Sequence, residues 1–280
     1  MQQDRRGVLY PDRLPEFHRV PAATDISHAV QWFWVPEWQL PDGVESRQHV
    51  LPFPACNLVV DPAGIEAIGP ATRRSERVLT GAGWAVGALL RPAATRALDL
   101  RPAELRDATR SVADPALHAA IVAAMTDATV PGEARRAAAI DALSRWIAER
   151  VPLPARAGDG ELANALGELL GDPSITRVDQ LPERLHVSPR TLQRIAERAF
   201  GLPLHAMIRR RRLQEAAERL RDHPTASIAE LAAALGYTDH AHFSTDFKAV
   251  LGVTPSEYRR DAAAPIAKAH RSTASGDSPS

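Results

Sequence analysis

Two stretches of the chain, residues 181–201 and 231–252, repeat one pattern of apolar and polar positions. The first reads Leu181-Pro-Glu-Arg-Leu185-His-Val-Ser-Pro-Arg-Thr-Leu192-Gln-Arg-Ile195 and closes on Phe200-Gly201. The second reads Leu231-Ala-Ala-Ala-Leu235-Gly-Tyr-Thr-Asp-His-Ala-His-Phe243-Ser-Thr-Asp-Phe247 and closes on Leu251-Gly252. Leu181 matches Leu231, Leu185 matches Leu235 and Ser188 matches Thr238. In each copy apolar residues four apart give way to a short polar turn and then resume at helical spacing. This predicts helix, tight turn, helix, twice over. Ser188 is a good N-cap with Pro189 at the first helical position, and Thr238 or Asp239 caps the second copy. Between the copies, Ile208, Leu213, Ala216, Ala217 and Leu220 mark the buried side of a long helix bounded by Pro203 and Pro224.

Upstream the pattern changes. From about residue 14 to 90, short apolar segments alternate with Pro and Gly: residues 29–35, 49–51, 56–60, 65–68 and 84–90. These suit the strands of a small barrel or sandwich. From about Pro92 the period turns helical. Asp114-Pro115 opens a helix, residues 134–150 form an amphipathic helix through Ile140, Leu143, Trp146 and Ile147, and residues 160–170 form another. The expected architecture is α+β. A barrel or sandwich with packed helices occupies 1–150 and a linker 151–160. An all-α domain of two helix-turn-helix units joined by a long helix occupies 161–260, and an Ala, Ser and Pro rich tail, expected to be disordered, follows over 261–280.

What the second helix of each unit exposes suggests its chemistry. With Leu192, Ile195 and Ala199 facing inward, Arg190, Gln193, Arg194 and Arg198 face out. Arg makes two hydrogen bonds to a guanine edge and Gln two to adenine, the chemistry of major-groove readout. Arg and Gln are also ordinary surface residues, and it is the pairing of two matched units that favours a reader. Two such helices enter successive major grooves when they sit roughly 34 Å apart. The run Arg209, Arg210, Arg211 and Arg212 on the joining helix is expected to reach phosphates, adding affinity without specificity. The alternative for that run is a solvated basic face.

Residues 172–260 resemble the C-terminal domain of the AraC/XylS family of bacterial transcription regulators, most specifically from Ser227 through the Gly236-Tyr237 turn and Phe243 to the Pro255-Ser-Glu-Tyr258 phrase. The resemblance implies base contacts at Arg190, Gln193 and Arg194 in the first unit and at His240, Ala241 and Ser244 in the second, with Lys248 at the same surface. The chain departs from the family pattern at Pro182, inside the first helix, where it removes a donor and tightens or kinks the turn. It departs again at Thr245, where the family often carries Arg, with Asp246 beside it. That shifts most of the discrimination to the first unit. The N-terminal part is similar to the cupin-like domains of many family members, which implies a sensory or dimerisation role. Promoter duplex DNA is the implied partner, with RNA polymerase, a small-molecule effector and a second copy as further candidates.

Charge fits this reading. The chain is neutral overall, yet residues 175–260 hold fourteen Lys or Arg against ten Asp or Glu, a modestly basic reader beside a mildly acidic partner domain. A single cysteine, Cys56, excludes an internal disulfide, a thiolate zinc cluster and the reactive-cysteine chemistry of methyl-transfer DNA repair. No apolar run is long enough to span a bilayer and no signal-like region follows Met1, so the cytoplasm is the expected location and no membrane partner is expected.

For an effector, the aromatic cluster Trp32, Phe33, Trp34 and Trp38 is the candidate. On a strand Trp32 and Trp34 share one face and Phe33 takes the other; that face either lines a ligand cavity or packs as core. Arg47, His49 and Arg91 are candidates for orienting an anionic ligand. The helix over 134–150 either packs on its own domain or makes a dimer contact. The rival function is a cupin-like metal-dependent enzyme or a ligand-binding module with a vestigial reader. A cupin enzyme needs convergent ligands, and His18, His28 and His49 are scattered with no His-x-His among them. The His240-x-His242 pair diverges on a helix. No phosphate loop, nucleophile elbow or paired-carboxylate site stands out. No catalysis, metal or cofactor is therefore expected.

Overall fold

The computed structural model describes residues 16–50, 53–153 and 159–263. The expected tail, beyond residue 263, and half of the expected linker, residues 154–158, lie outside the described residues.

Among the described residues the N-terminal domain contains nine strands: β1 Glu16–Pro21, β2 Val30–Gln39, β3 Glu45–Val50, β4 Asn57–Asp61, β5 Gly64–Ile68, β6 Ser75–Thr80, β7 Ala82–Trp84, β8 Val86–Leu90 and β9 Thr109–Ser111. Seven form one antiparallel sheet in the order β1-β2-β8-β4-β5-β9, with β7 also paired to β2; β3 and β6 form a separate two-stranded sheet. The apolar segments of the sequence supply β2, β4, β5 and β8. Strands β1, β6 and β9, which carry His18, Arg19, Glu76, Arg77 and Arg110, lack the apolar alternation that would have marked them.

One face of the large sheet makes the core. Phe33, Leu58, Val60, Ile65, Ala67, Val86, Ala88 and Leu90 form a single buried cluster with Leu117, Ile121, Leu143 and Ile147. The last four come from α2 Pro115–Thr126 and α3 Gly132–Arg150. Full burial of such a side chain stabilises by about 1.5–3 kcal/mol. Asp114 starts α2 as expected, its Oδ1 accepting from Leu117 N at 2.9 Å, and the apolar stripe of α3 packs on its own domain. The register of β2 against β8 shifts between Val30 and Trp32, so Gln31 is an extra residue in the strand. A bulge of this kind changes which residues face which side. Val30 before it and Phe33 and Val35 after it all reach the same core.

The C-terminal domain comprises α4 Asp159–Gly171, a 3-10 turn at Val178–Gln180, α5 Leu181–Leu185, α6 Pro189–Phe200, α7 Leu204–Asp222, α8 Ile228–Ala234, α9 His240–Leu251 and α10 Pro255–Ala263. It has two separate cores that share only α7. Leu204, Met207 and Ile208 join one with Leu166, Leu192 and Phe200; Leu213, Ala216 and Leu220 join the other with Phe243, Phe247 and Tyr258. Pro182 stands in the first turn of α5, where no intrahelical donor is needed. The first unit therefore absorbs it by starting α5 there, preceded by the 3-10 turn.

The short helix α1 Pro92–Ala97 fastens the two domains together. Ala93 N donates to Asn164 Oδ1 at 3.0 Å, and Asn164 Nδ2 donates to His28 O at 2.9 Å.

Candidate nucleic-acid interface

The second helix of each helix-turn-helix unit, α6 and α9, is fixed at both ends by its own residues. Ser188 caps α6, its Oγ accepting from Thr191 N at 3.2 Å, and Asp239 caps α9, its Oδ1 accepting from His242 N at 2.7 Å. Gly201 and Gly252 end the two helices with φ of 65° and 78°, a left-handed conformation that glycine adopts without steric cost. The preceding helices also end left-handed, at His186 with φ 53° and at Gly236 with φ 75°. The turn from that residue to the cap is one residue longer in the second unit. Asp239, not Thr238, is therefore the counterpart of Ser188, and Gly252 stands 51 positions after Gly201 whereas Leu231 stands 50 after Leu181.

Burial follows the expected stripe. Leu192, Ile195, Ala196 and Phe200 of α6 are buried, and so are Phe243, Phe247, Val250 and Leu251 of α9. Arg190, Gln193, Arg194 and Arg198 are exposed, as are His240, Ala241 and Lys248, while Ser244 is half-buried. Counted from the caps, Arg190, Gln193 and Arg194 correspond to Ala241, Ser244 and Thr245. The second helix thus offers short side chains where the first offers long donors, and Thr245 turns its Oγ1 back to Ala241 O at 2.9 Å. Thr245 belongs with the candidate contact residues. Counting from the opening leucines hides it, because the extra turn residue is invisible until the caps are located.

The arginine run on α7 lies differently from the sequence expectation of free, phosphate-reaching side chains. Arg209 Nη2 is 2.8 Å from Asp246 Oδ1 on α9. Arg210 is only 4% exposed, and burial pulls its guanidinium down to about 10, against the opposing pull of Asp107. Arg211 bonds Glu215 at 3.0 Å and Ile175 O at 2.8 Å. The Arg212 guanidinium stacks over the Tyr237 ring at 3.9 Å. The cause is the position of α7 between both reader cores, so that four consecutive residues sweep past packed neighbours on nearly every side. Asp246, next to Thr245 in sequence, faces this run.

The five effector candidates do not converge. Trp32 and Trp34 do share the sheet face opposite Phe33, but each is covered. The Arg19 guanidinium lies 4.6 Å over Trp32, and Phe53 meets the same indole edge-on at 4.9 Å. Trp34 donates to Asn57 Oδ1 at 3.1 Å and presses on Gly87 so closely that a Cβ there would lie 2.1 Å from its ring. Arg47 and His49 lie together around Glu76, at 2.9 and 3.5 Å. Arg91 reaches the other domain, at 2.9 Å from Glu168. Strand alternation puts 47 and 49 on one side of β3 and buries Gln48 on the other.

One group among the described residues brings metal-type donors together, Glu16, His18 and Glu37. Arg136 stands 2.7 Å from Glu37 and 3.7 Å from Glu16, and Arg135 stands 3.6 Å from Glu37. Those guanidinium groups already neutralise the carboxylates. Cys56 is buried, and desolvation pushes its thiol up to about 12, as befits a packing residue. No described helix is long and apolar enough to cross a membrane.

Beside α6 a cleft of about 800 Å³ is lined by Arg194 and Arg198 together with Arg96, Asp99, Arg101 and Glu104 of the N-terminal domain. The flank of α6 and the N-terminal domain thus line one cleft, and they touch at its end, where Arg106 Nε donates to Gly201 O at 2.8 Å.

Residues 181–261 match a protein-family model described as "Helix-turn-helix domain". Residues 18–111 match a second, described as "Domain of unknown function (DUF6597)". Among curated proteins, the HTH-type transcriptional activator AarP of Providencia stuartii is 38% identical over 68 residues, 24% of this chain and 50% of that protein. The uncharacterized transcriptional regulatory protein YesN of Bacillus subtilis is 27% identical over 101 residues, 36% of this chain and 27% of that protein. The chain thus spans between 27% and 50% of the length of these relatives. Among solved structures, ToxT from Vibrio cholerae aligns over 88% of this chain and 96% of its own, at 13% identity and a TM-score of 0.37.

Proposed function

We propose that this chain, whose residues 181–261 match a helix-turn-helix domain family, is an AraC-type transcription regulator that reads promoter DNA with α6 and α9. The observation that carries the reading is the pair of helices capped and closed alike, each with one buried stripe and one exposed polar face. Arg190, Gln193 and Arg194 supply most of the base discrimination, since these are the long forked or bidentate donors. His240, Ala241, Ser244 and Thr245 read through short contacts, and Lys248 and Arg198 take phosphates.

The N-terminal domain supplies control, through a small-molecule effector or a second copy of the chain. Its approach to the flank of α6 across the cleft is the feature that supports this. RNA polymerase is the partner through which bound regulator would change transcription, and the cytoplasm is where it would act. The reading contains no catalytic step and needs no cofactor.

The test is selection of bound sites from a random duplex pool by the full-length protein at stated salt. Enrichment of one motif with two blocks about a helical turn apart is the expected result. Retention of every sequence alike would remove the sequence-specific part of the reading, and retention of none would remove DNA itself.

A further inference from the structure

We propose that two loops of the N-terminal domain, residues 69–74 and 101–107, hold the two reading helices at one separation and so set the spacing between DNA blocks that the chain accepts. This deepens the regulator reading above and rests on it. Arg106, Asp107 and Thr72 are the positioning residues.

The two loops are one piece. Thr72 donates to the Asp107 carboxylate through its backbone N and its Oγ1, at 2.6 and 2.7 Å. Asp107 N donates to Pro70 O at 3.1 Å, and Gly69 N to Ala108 O at 3.0 Å. A Cβ on Gly69 would lie 1.8 Å from Leu105 O, so the loops touch backbone to backbone.

That piece meets all three helices that matter for reading. At the end of α6, Arg106 Nε donates to Gly201 O at 2.8 Å, and its Nη2 donates to the same oxygen. A Cβ on Gly201 would stand 2.4 Å from the carbonyl carbon of Pro102. At the end of α9, Arg74 N donates to Val250 O at 3.0 Å, and a Cβ on Gly252 would meet Arg74 Nε at 3.0 Å. Between them, the Asp107 charge favours the buried cation of Arg210 on α7.

The geometry matters because each reader core packs on its own end of α7. Besides α7, the two units meet where Thr176 lies 3.8 Å from a Cβ placed on Gly236, which leaves the far ends of α6 and α9 to be held from elsewhere. A second brace, running from the end of one reading helix to the end of the other, closes the frame. DNA blocks whose spacing does not suit the frame are then refused although each block alone fits.

The test uses the full chain with Arg106→Ala and Thr72→Val together, and with Arg106→Lys as a milder variant that keeps the charge but not the two-pronged grip. Spin labels on Gln193→Cys and Thr245→Cys, in a Cys56→Ala background, report the distance between readers by pulsed EPR without DNA. The parent is expected to give one narrow distribution, the double variant a broad one and Arg106→Lys an intermediate one. On probes whose selected blocks are moved together or apart by single base pairs, the parent's preference for one spacing is expected to fall by roughly tenfold in the double variant. Affinity for a single block should stay the same. An unchanged distance distribution, in variants whose melting shows them folded, overturns the proposal, as does an unchanged spacing profile. If the parent selects no motif at all, the regulator reading fails, and the distance measurement still decides the brace by itself.

Discussion

Arg209 of α7 and Asp246 of α9 form an ion pair, Nη2 to Oδ1 at 2.8 Å, that joins the long helix of the C-terminal domain to the second helix of its second helix-turn-helix unit. The pair explains the charge on Asp246, an acidic residue on a helix proposed to enter a negatively charged groove. The carboxylate is turned to the spine and is only 18% exposed. A double-mutant cycle of Arg209→Ala and Asp246→Ala is expected to show a coupling of roughly 0.5–1 kcal/mol in urea unfolding. Strictly additive single effects would dissolve the pair.

Arg194→Ala is expected to weaken binding to the selected site by about 1–3 kcal/mol and to relax one base position in a repeated selection. Equal loss on every sequence would move Arg194 from reading to phosphate contact.

Arg210 and Lys248 separate inside from outside. Lys248 is exposed on α9, and Lys248→Ala should reduce the slope of log affinity against log salt by about 1. Arg210 is buried, so Arg210→Met should lower the melting temperature and leave that slope alone. A reduced slope with unchanged melting in Arg210→Met would put its guanidinium back on the DNA.

Asp114 predicts an acid limit for the N-terminal domain. The hydrogen bond from Leu117 N, with further ones from Trp146 and the charge of Arg150, holds its carboxyl below the ordinary 3.8. A group depressed in the folded state stabilises it above the unfolded value and loses that contribution as pH falls through the folded value. Melting temperature should therefore drop as pH falls below about 3.8, and Asp114→Asn should show a shallower drop over the same range. Parallel curves for the two proteins would mean that other carboxylates set the limit.

How far the sequence disclosed this molecule depends on how local each signal is. Ser188, Asp239, Gly201, Gly252 and Asp114 act within one turn of backbone, and the helices they delimit were legible from the letters alone. The apolar runs of β2, β4, β5 and β8 were legible for the same reason. Strands β1, β6 and β9 were not, because they mix charged and polar residues with few apolar ones, at the edges of the large sheet and in the two-stranded sheet, where pairing rather than burial holds them. The arginines of α7 misled for the opposite reason. Four guanidinium groups in a row look like surface, and only packing around α7, with Asp107 of the N-terminal domain beside it, puts Arg210 inside. The covered positions of Trp32 and Trp34 depend on Arg19, Phe53 and Gly87 from other segments, which no spacing rule brings together.

The longer turn of the second unit bears on any attempt to reprogram the operator. One residue of offset rotates a helical position by about 100°, enough to carry a base-reading side chain out of the groove. A graft of Arg190, Gln193 and Arg194 onto α9 must therefore be counted back from the closing glycines, landing on Ala241, Ser244 and Thr245. Counted forward from Leu231, the same three letters would land on His240, Phe243 and Ser244. The transplant would then put a polar glutamine in place of the buried Phe243 of the aromatic core, and the loss of folding would be mistaken for a loss of recognition.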